Sequence, residues 1–388
     1  MRRVSVRLAA TRTSYQIEIG EGVLDNLGDI ARRALSAEAR RVAVVSNQRV
    51  FALYGAVVVR NLRACGFNVS HWLMGDGERH KNLRTAERAL AFFSRSKLER
   101  TDAVVALGGG VVGDLAGFAA SVYLRGIAFV QVPTTLLAQI DASVGGKTAV
   151  NTSDGKNLIG AFHQPRAVVI STDTLQTLPP RELTAGWCEA IKQGAVGDRR
   201  LFEETRRFLV AERMNETAPA FARTHKRASE LANLIAAQCA FKAKIVAADE
   251  REDAGRTDAR SRRILNFGHT AAHALEAVTG YRRFRHGEAV GYGMIVAGEI
   301  SARLGMLDAS ELESLRASVR LAGRLPRADD LDERAILRAI DSDKKSVGGY
   351  VRWVLLEGIG RARIVSGKEI PQRVVRSALG AALQAKRL

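Results

Sequence analysis

Cysteine is scarce in this chain: three in 388 residues, Cys65, Cys188 and Cys239, far apart and odd in number. They fit neither a disulfide framework nor a metal-ligand spacing, and so suit a reducing cytoplasm. No apolar run reaches the roughly 18 residues needed to span a membrane. The opening MRRVSVRLAATRTSYQIEIG is positively charged but lacks the apolar segment of a secretion signal. Internal repeats and low-complexity tracts are missing too. A cytoplasmic chain with no membrane partner is the expectation. Nor is there a lysine/arginine run interleaved with aromatics, although the net charge is +18. The basic residues are mostly arginine and spread along the chain, so no nucleic acid is expected as partner. Such a field better serves a phosphorylated, carboxylated small-molecule substrate.

What is present is a globular balance, 46% hydrophobic and 26% charged, on a chain long enough for two domains. Residues 1–20 alternate (Val4, Val6, Leu8, then Tyr15, Ile17, Ile19) as an edge hairpin would. Helical patterns at 22–35, 50–65 and 83–93 alternate with strand-like runs at 41–46, 67–73, 103–107 and 127–132. This predicts a Rossmann-like α/β domain over 1–180 with a mostly parallel sheet, its ligands at the carboxyl ends of the strands. Pro179-Pro180 ends the alternation. Helical periods at 182–196, 201–211, 218–248, 264–278, 286–304, 310–321 and 333–340 predict an all-α domain over 181–388. Two short strands reappear near 351–356 and 362–365.

Two glycine turns stand out. GGGVVGD at 108–114 follows a strand and opens a helix, the geometry that offers backbone N–H groups to phosphate. A second turn, Gly145-Gly146-Lys147, comes after the next strand and its Pro133-Thr134-Thr135. Neither is a standard loop. No acidic residue falls where a dinucleotide fold would hold a ribose, and Asp141 stands where a Walker loop begins with glycine. Two turns on consecutive strand ends, near Asp141, Lys147 and Lys156, still favour a ligand site over simple tight turns.

The second half carries titratable groups in apolar helices. His269 and His273 lie four apart on one helix face, His286 opens the next helix, and Glu189 sits in an apolar stretch. Histidine and glutamate are ligands of catalytic zinc. Spacing alone nominates His269 and His273 as a metal pair, or leaves them as packed histidines. Arg125, Lys147, Lys156, Lys192, Lys242 and Arg262 together would suit a substrate bearing phosphate and carboxylate.

Longer motifs say more. DGERHK at 76–81, GGGVVGDLAGFAASVYLRG at 108–126, QVPTTLLAQIDASVGGKTAVN at 131–151, GKNLIGAFHQP at 155–165, LPPREL at 178–183, LNFGHTAAHALE at 265–276, HGEAVGYGM at 286–294 and DKK at 343–345 resemble 3-dehydroquinate synthase, in that family's order and over nearly the whole chain. The family is one of the sugar phosphate cyclases and shares its two-domain fold with glycerol dehydrogenase and iron-dependent alcohol dehydrogenases. The resemblance implies a lyase of the shikimate pathway of aromatic amino acid biosynthesis. It would use NAD and Zn²⁺, or Co²⁺, to turn 3-deoxy-D-arabino-heptulosonate 7-phosphate into 3-dehydroquinate and phosphate, as a homodimer.

Carried onto this chain, the resemblance puts NAD on Asp76, Gly77, Glu78, Arg79, His80 and Lys81, on Gly109, Gly110, Val111, Val112, Gly113 and Asp114, and on Thr134, Thr135, Lys147, Lys156, Thr174, Leu175, Gln176 and Thr177. The metal falls on Glu189, His269 and His286, which makes His273 a proton-transfer residue and not a ligand. Substrate falls on Arg125, Asp141, Lys147, Lys156, Asn157, Lys192, Lys242, Arg262 and Asn266. Catalytic roles fall on His273, Glu252, Lys192, Arg262 and Asn266. One departure is a connection from Glu252 to Arg262 several residues longer than the family's, which puts the roles of those two residues in question.

Overall fold

The computed structural model describes residues 14–215, 225–253, 255–343 and 351–384. In the first half the strands are β1 (Gln16–Gly20), β2 (Arg41–Asn47), β3 (Asn68–Met74), β4 (Ala103–Gly108), β5 (Ala128–Pro133), β6 (Lys147–Val150), β7 (Ile159–Phe162) and β8 (Ala167–Ser171). Six of them form one sheet in the order β1-β8-β5-β4-β2-β3, and every neighbouring pair is parallel. Parallel strands are covered on both faces, which is why their runs are apolar without alternation.

The covering helices are α1 (Leu27–Ala34), α2 (Gln48–Val50) continuing through a π turn (Phe51–Gly55) into α3 (Ala56–Ala64), α4 (Leu83–Arg95) and α5 (Gly110–Val122). Val42, Val44, Val105 and Val130 pack with Leu27, Ile30, Val58 and Leu62 on one face. Ala43, Val45, Val104 and Phe129 pack with Ala89, Phe93, Leu115 and Ala119 on the other. Successive residues of one strand thus enter different cores.

From Pro180 the chain is helical: α6 (Pro180–Gly197), α7 (Arg199–Asn215), α8 (His225–Ala248), α9 (His269–Val278), α10 (His286–Arg303), α11 (Ala309–Ala322) and α12 (Glu333–Asp343), then strands β9 (Arg352–Gly358) and β10 (Arg361–Ser366) and a last helix, α13 (Gln372–Leu383). The antiparallel β9–β10 pair qualifies the all-α expectation. α10 is the axis of this half, buried on every side over almost its whole length, as an all-round apolar helix must be. Two of its glycines admit other backbone. A Cβ on Gly287 would overlap the Ala185 carbonyl of α6, and one on Gly293 would overlap the Gly268 carbonyl ahead of α9. Leu136, Ile140, Val168 and Ile170 of the first half join the same apolar cluster as these helices.

Several expectations need correction. The helix predicted over 264–278 is broken: a 3-10 turn (Arg262–Asn266) precedes α9, and Gly268 between them has φ 80°. A left-handed residue there costs little only for glycine, and it delivers the carbonyl that meets Gly293. The hairpin β6–β7 and the helix α13 were not anticipated. Ile17 and Ile19 lie on an edge strand, but its partner among the described residues is β8, parallel, and the arm with Val4, Val6 and Leu8 lies outside those residues. Lys344 and Lys345 also lie outside them, as does the predicted helix ahead of His225. By length and composition Arg227–Ala248 within α8 could cross a membrane. In the fold its Leu234, Ile235, Cys239 and Ile245 belong to the apolar cluster instead.

Replacing Gly293 by Ala should lower stability by about 1–3 kcal/mol, the usual cost of overpacking. An unchanged denaturant midpoint would mean that the two backbones are not in contact.

Candidate active site

The sequence puts its phosphate-type turns at the carboxyl ends of the strands, and the structure gathers them there. α5 starts at Gly110 with extended Gly109 as N-cap and no side-chain cap, so its first N–H groups have no side-chain acceptor. Such a helix start attracts anions. Beside it the buried Thr134 hydroxyl has no hydrogen-bond partner among the described residues, and Thr135 caps the next turn through its bond from Ala138 N–H (3.2 Å). Across the gap, Tyr54 reaches Thr177 at 2.5 Å and the Thr174 hydroxyl meets the Ser171 carbonyl at 2.8 Å. Val112 and Leu175 can meet a cofactor only in one way. Both side chains lie in apolar cores, so only their backbones can face a ligand.

The loop carrying Asp76 to Lys81 is tied down by residues the sequence did not single out. Asn47, at the end of β2, donates to Asp76 at 3.0 Å, and Asn151 donates to Glu78 at 2.8 Å. Lys81 is buried, pairs with Asp114 and donates to Asn157 at 2.6 Å. Asn157 thus stands on the side of the 76–81 loop. Burial raises the Asp114 carboxyl above its ordinary range, against the pull of Lys81.

Three helices deliver the candidate metal ligands. Glu189 on α6, His269 at the start of α9 and His286 at the start of α10 bring one donor atom each within 4.8 Å of one another. Glu189 is fully buried, and although the Lys192 ammonium is 2.5 Å away, neither carboxylate oxygen completes a hydrogen bond. With Lys192 beside one oxygen only, the other is left for a further cation held with the two imidazoles. The Nδ1 of His269 lies 3.2 Å from the Phe267 carbonyl, which only accepts, so the proton sits on Nδ1 and Nε2 keeps its lone pair. Burial, with Lys192 and the other two histidines nearby, pushes the His269 pKa well below its ordinary value. It is neutral, as a ligand must be. The donor set fits a zinc-type ion.

Glu276 was missed. It lies between Lys156 (3.0 Å) and Nδ1 of His286 (3.5 Å). Burial works to raise its carboxyl, but the His286 hydrogen bond and Lys156 hold it down to about 2. Its position seven residues after His269, two turns along one face, was a usable signal. His273 also lies within metal-binding reach of Glu276 and His286, so the two histidines that spacing pairs fall in different possible sets.

A field of paired cations surrounds this centre. Lys242 on α8 meets Asp141 at 2.5 Å, and Lys147 pairs with Glu252, which also accepts from Asn266 at 3.2 Å. Burial would lower Lys192, but Glu189 and Asp141 outweigh it and raise its pKa. Arg262 is buried and donates to the carbonyls of Gly145 (3.1 Å) and Glu250 (2.8 Å). With the longer connection between them, Glu252 and Arg262 both stand beside this centre. Asp249 closes its neck, accepting from the N–H of Asp253 and of Arg262, both at 2.8 Å.

Arg125 is the residue the structure does not bring in. It follows the end of α5 and precedes β5, at the amino ends of the strands, while the site lies at their carboxyl ends.

Family models described as 3-dehydroquinate synthase N-terminal and 3-dehydroquinate synthase C-terminal match residues 71–185 and 186–346. The chain belongs to the 3-dehydroquinate synthase family. A family relative, the 3-dehydroquinate synthase of Gloeobacter violaceus, is 45% identical, covering 97% of this chain and 98% of its own. Among solved structures, ValA, a 2-epi-5-epi-valiolone synthase from Streptomyces hygroscopicus subsp. jinggangensis 5008 with NAD⁺ and Zn²⁺ bound, has a TM-score of 0.84 at 26% identity, covering 99% of this chain and all of that one (100%). A 2-deoxy-scyllo-inosose synthase complexed with carbaglucose-6-phosphate, NAD⁺ and Co²⁺ has a TM-score of 0.78 at 24% identity over 94% of this chain and 96% of its own, a likeness of fold.

Within the family frame, His269→Ala should abolish stoichiometric zinc, while His273→Ala should keep the metal and slow turnover by about 10²–10⁴-fold, the range of a lost proton-transfer group. Metal analysis with the reverse pattern would move the centre to the second set.

Proposed function

We propose that this chain converts 3-deoxy-D-arabino-heptulosonate 7-phosphate to 3-dehydroquinate and phosphate as a soluble cytoplasmic enzyme, with residues 1–180 holding NAD and 181–388 holding metal and substrate. The observation that carries the reading is a buried Glu189, without a completed hydrogen bond among the described residues, facing two imidazoles inside a ring of lysines, in a chain of this family. When bound, NAD⁺ and zinc supply a reversible hydride acceptor and a Lewis acid at the substrate hydroxyl.

The chain's own residues do the rest. Backbone N–H groups at the start of α5, with Thr134 and Thr135, bind the cofactor's phosphates. Glu189, His269 and His286 hold the metal. Lys147, Lys156, Lys192, Lys242, Arg262 and Asn266 bind the substrate's phosphate and carboxylate and stabilise charge on the departing phosphate. Asp141 keeps Lys242 oriented, Glu189 does so for Lys192, and Glu252 for Lys147 and Asn266. His273, exposed one helical turn from His269, moves protons at the reacting ring.

We further propose a homodimer in which Arg125 serves the partner's substrate. The turn after α5 is beside the end of β7, where His163 meets the Ile127 carbonyl at 2.9 Å. Val122, Leu124, Ile159 and Phe162 are exposed there, an apolar margin suited to a second copy.

Purified protein given the heptulosonate phosphate, NAD⁺ and Zn²⁺ should release phosphate with no net NADH. Stoichiometric NADH would instead identify a dehydrogenase. Mixing inactive Arg125→Ala and His269→Ala proteins under subunit exchange should restore activity that neither has alone. No recovery in confirmed mixed dimers would return Arg125 to a role in its own subunit.

A further inference from the structure

The metal set proposed above leaves one buried carboxylate without a task. Glu276 is 2% exposed, on the face of α9 that carries His269. One oxygen is 3.5 Å from Nδ1 of His286, and the other is 3.0 Å from the Lys156 ammonium. Lys156 belongs to the connection between β6 and β7, and its ammonium also lies 4.5 Å from the Tyr281 ring centre. A single carboxylate therefore joins α9, the first residue of α10 and a lysine from the sheet half of the molecule.

Glu276 could instead be a ligand, because it lies with His273 and His286 in a second group of donors. The hydrogen bonding argues otherwise. Both Glu276 oxygens already have a hydrogen-bonded partner, whereas Glu189 completes no hydrogen bond among the described residues and has the Lys192 ammonium beside only one of its oxygens. His286 has two ring nitrogens, and Nε2 faces Glu189 at 3.6 Å while Nδ1 faces Glu276. A carboxylate at Nδ1 keeps the proton there and leaves the Nε2 lone pair directed at Glu189.

We infer that Glu276 is a positioning residue that fixes the tautomer and ring orientation of His286 for the metal and, through its other oxygen, holds Lys156 in place for the anionic substrate. It links metal retention to substrate binding across the two halves of the chain. The inference rests on Glu189, His269 and His286 being the ligands.

The test separates the two ideas by zinc affinity of the metal-free protein, measured by chelator competition, alongside substrate KM. His269→Ala comes first: zinc bound as tightly as in the unaltered protein sinks the ligand set itself. Given its loss there, Glu276→Ala should weaken zinc about 10–100-fold, the usual cost of losing such a partner. Zinc affinity unchanged overturns the positioning role, and complete loss, as in His269→Ala, makes Glu276 a ligand and overturns it too. Glu276→Gln keeps an acceptor for His286 but no charge for Lys156, and it carries the test if the alanine variant fails to fold. It should hold zinc within about tenfold while KM rises by a similar factor, as it should in Lys156→Ala, whose zinc affinity is unaltered. An unchanged KM in Glu276→Gln overturns the link to Lys156.

Discussion

The approach of α10 to its neighbours is the constraint on which the rest of the molecule depends. The candidate ligands come from three helices, so their separation is a matter of helix spacing before it is a matter of side chains. At Gly287 and Gly293 that spacing is set by backbone against backbone, with nothing between to flex. Ion pairs pin the same ends. Glu288, fully buried, takes two bonds from Arg181 at the start of α6, while Arg285 pairs with Glu182 at 2.8 Å. Packing and charge thus fix one geometry. A close-packed interior has few ways to relax around it.

Charge is handled in a consistent way around the site. Lys81 with Asp114, Lys242 with Asp141, Lys147 with Glu252, Lys156 with Glu276 and Lys192 with Glu189 are each lysine–carboxylate pairs. Removing one member of a buried pair, as with Lys81, Lys192 and Lys242, costs about 3–5 kcal/mol, well above the about 0–1 kcal/mol of a surface pair, to which the half-exposed Lys147 is nearer. Such lysines are therefore held in position before any substrate arrives, so little reorganisation is needed when negative charge develops. The excess of basic residues elsewhere can steer an anionic substrate, but the paired ones do the positioning.

Much of this was legible in the chain. β-Branched runs at 41–46 and 103–107 gave buried strands because both faces of a parallel sheet are covered. The glycine run at 108–110 read correctly as a strand end and helix start. What failed to show was long-range. Asn47 caps the helix after it, but its bond to Asp76 and that of Asp249 to Arg262 reach across the chain, where no local pattern marks them. The break at Gly268 was hidden because an apolar period continues across it; the glycine answers to Gly293, 25 positions on. Arg125 looked like part of the cation cluster by type and motif, yet the parallel register puts it at the other end of the strands. Glu276 had the right spacing but was one of many glutamates on helices until Lys156 and His286 were seen beside it.

The neck at Asp249 has a consequence for how this chain tolerates change. Because one carboxylate grips the backbone on both sides of the 253–261 segment, the length of that segment is uncoupled from the positions of Glu252 and Arg262. Like a bight in a rope cinched at its base, it gives slack in which insertions accumulate without reaching the chemistry. A longer segment here can therefore leave the geometry of the candidate site as it was.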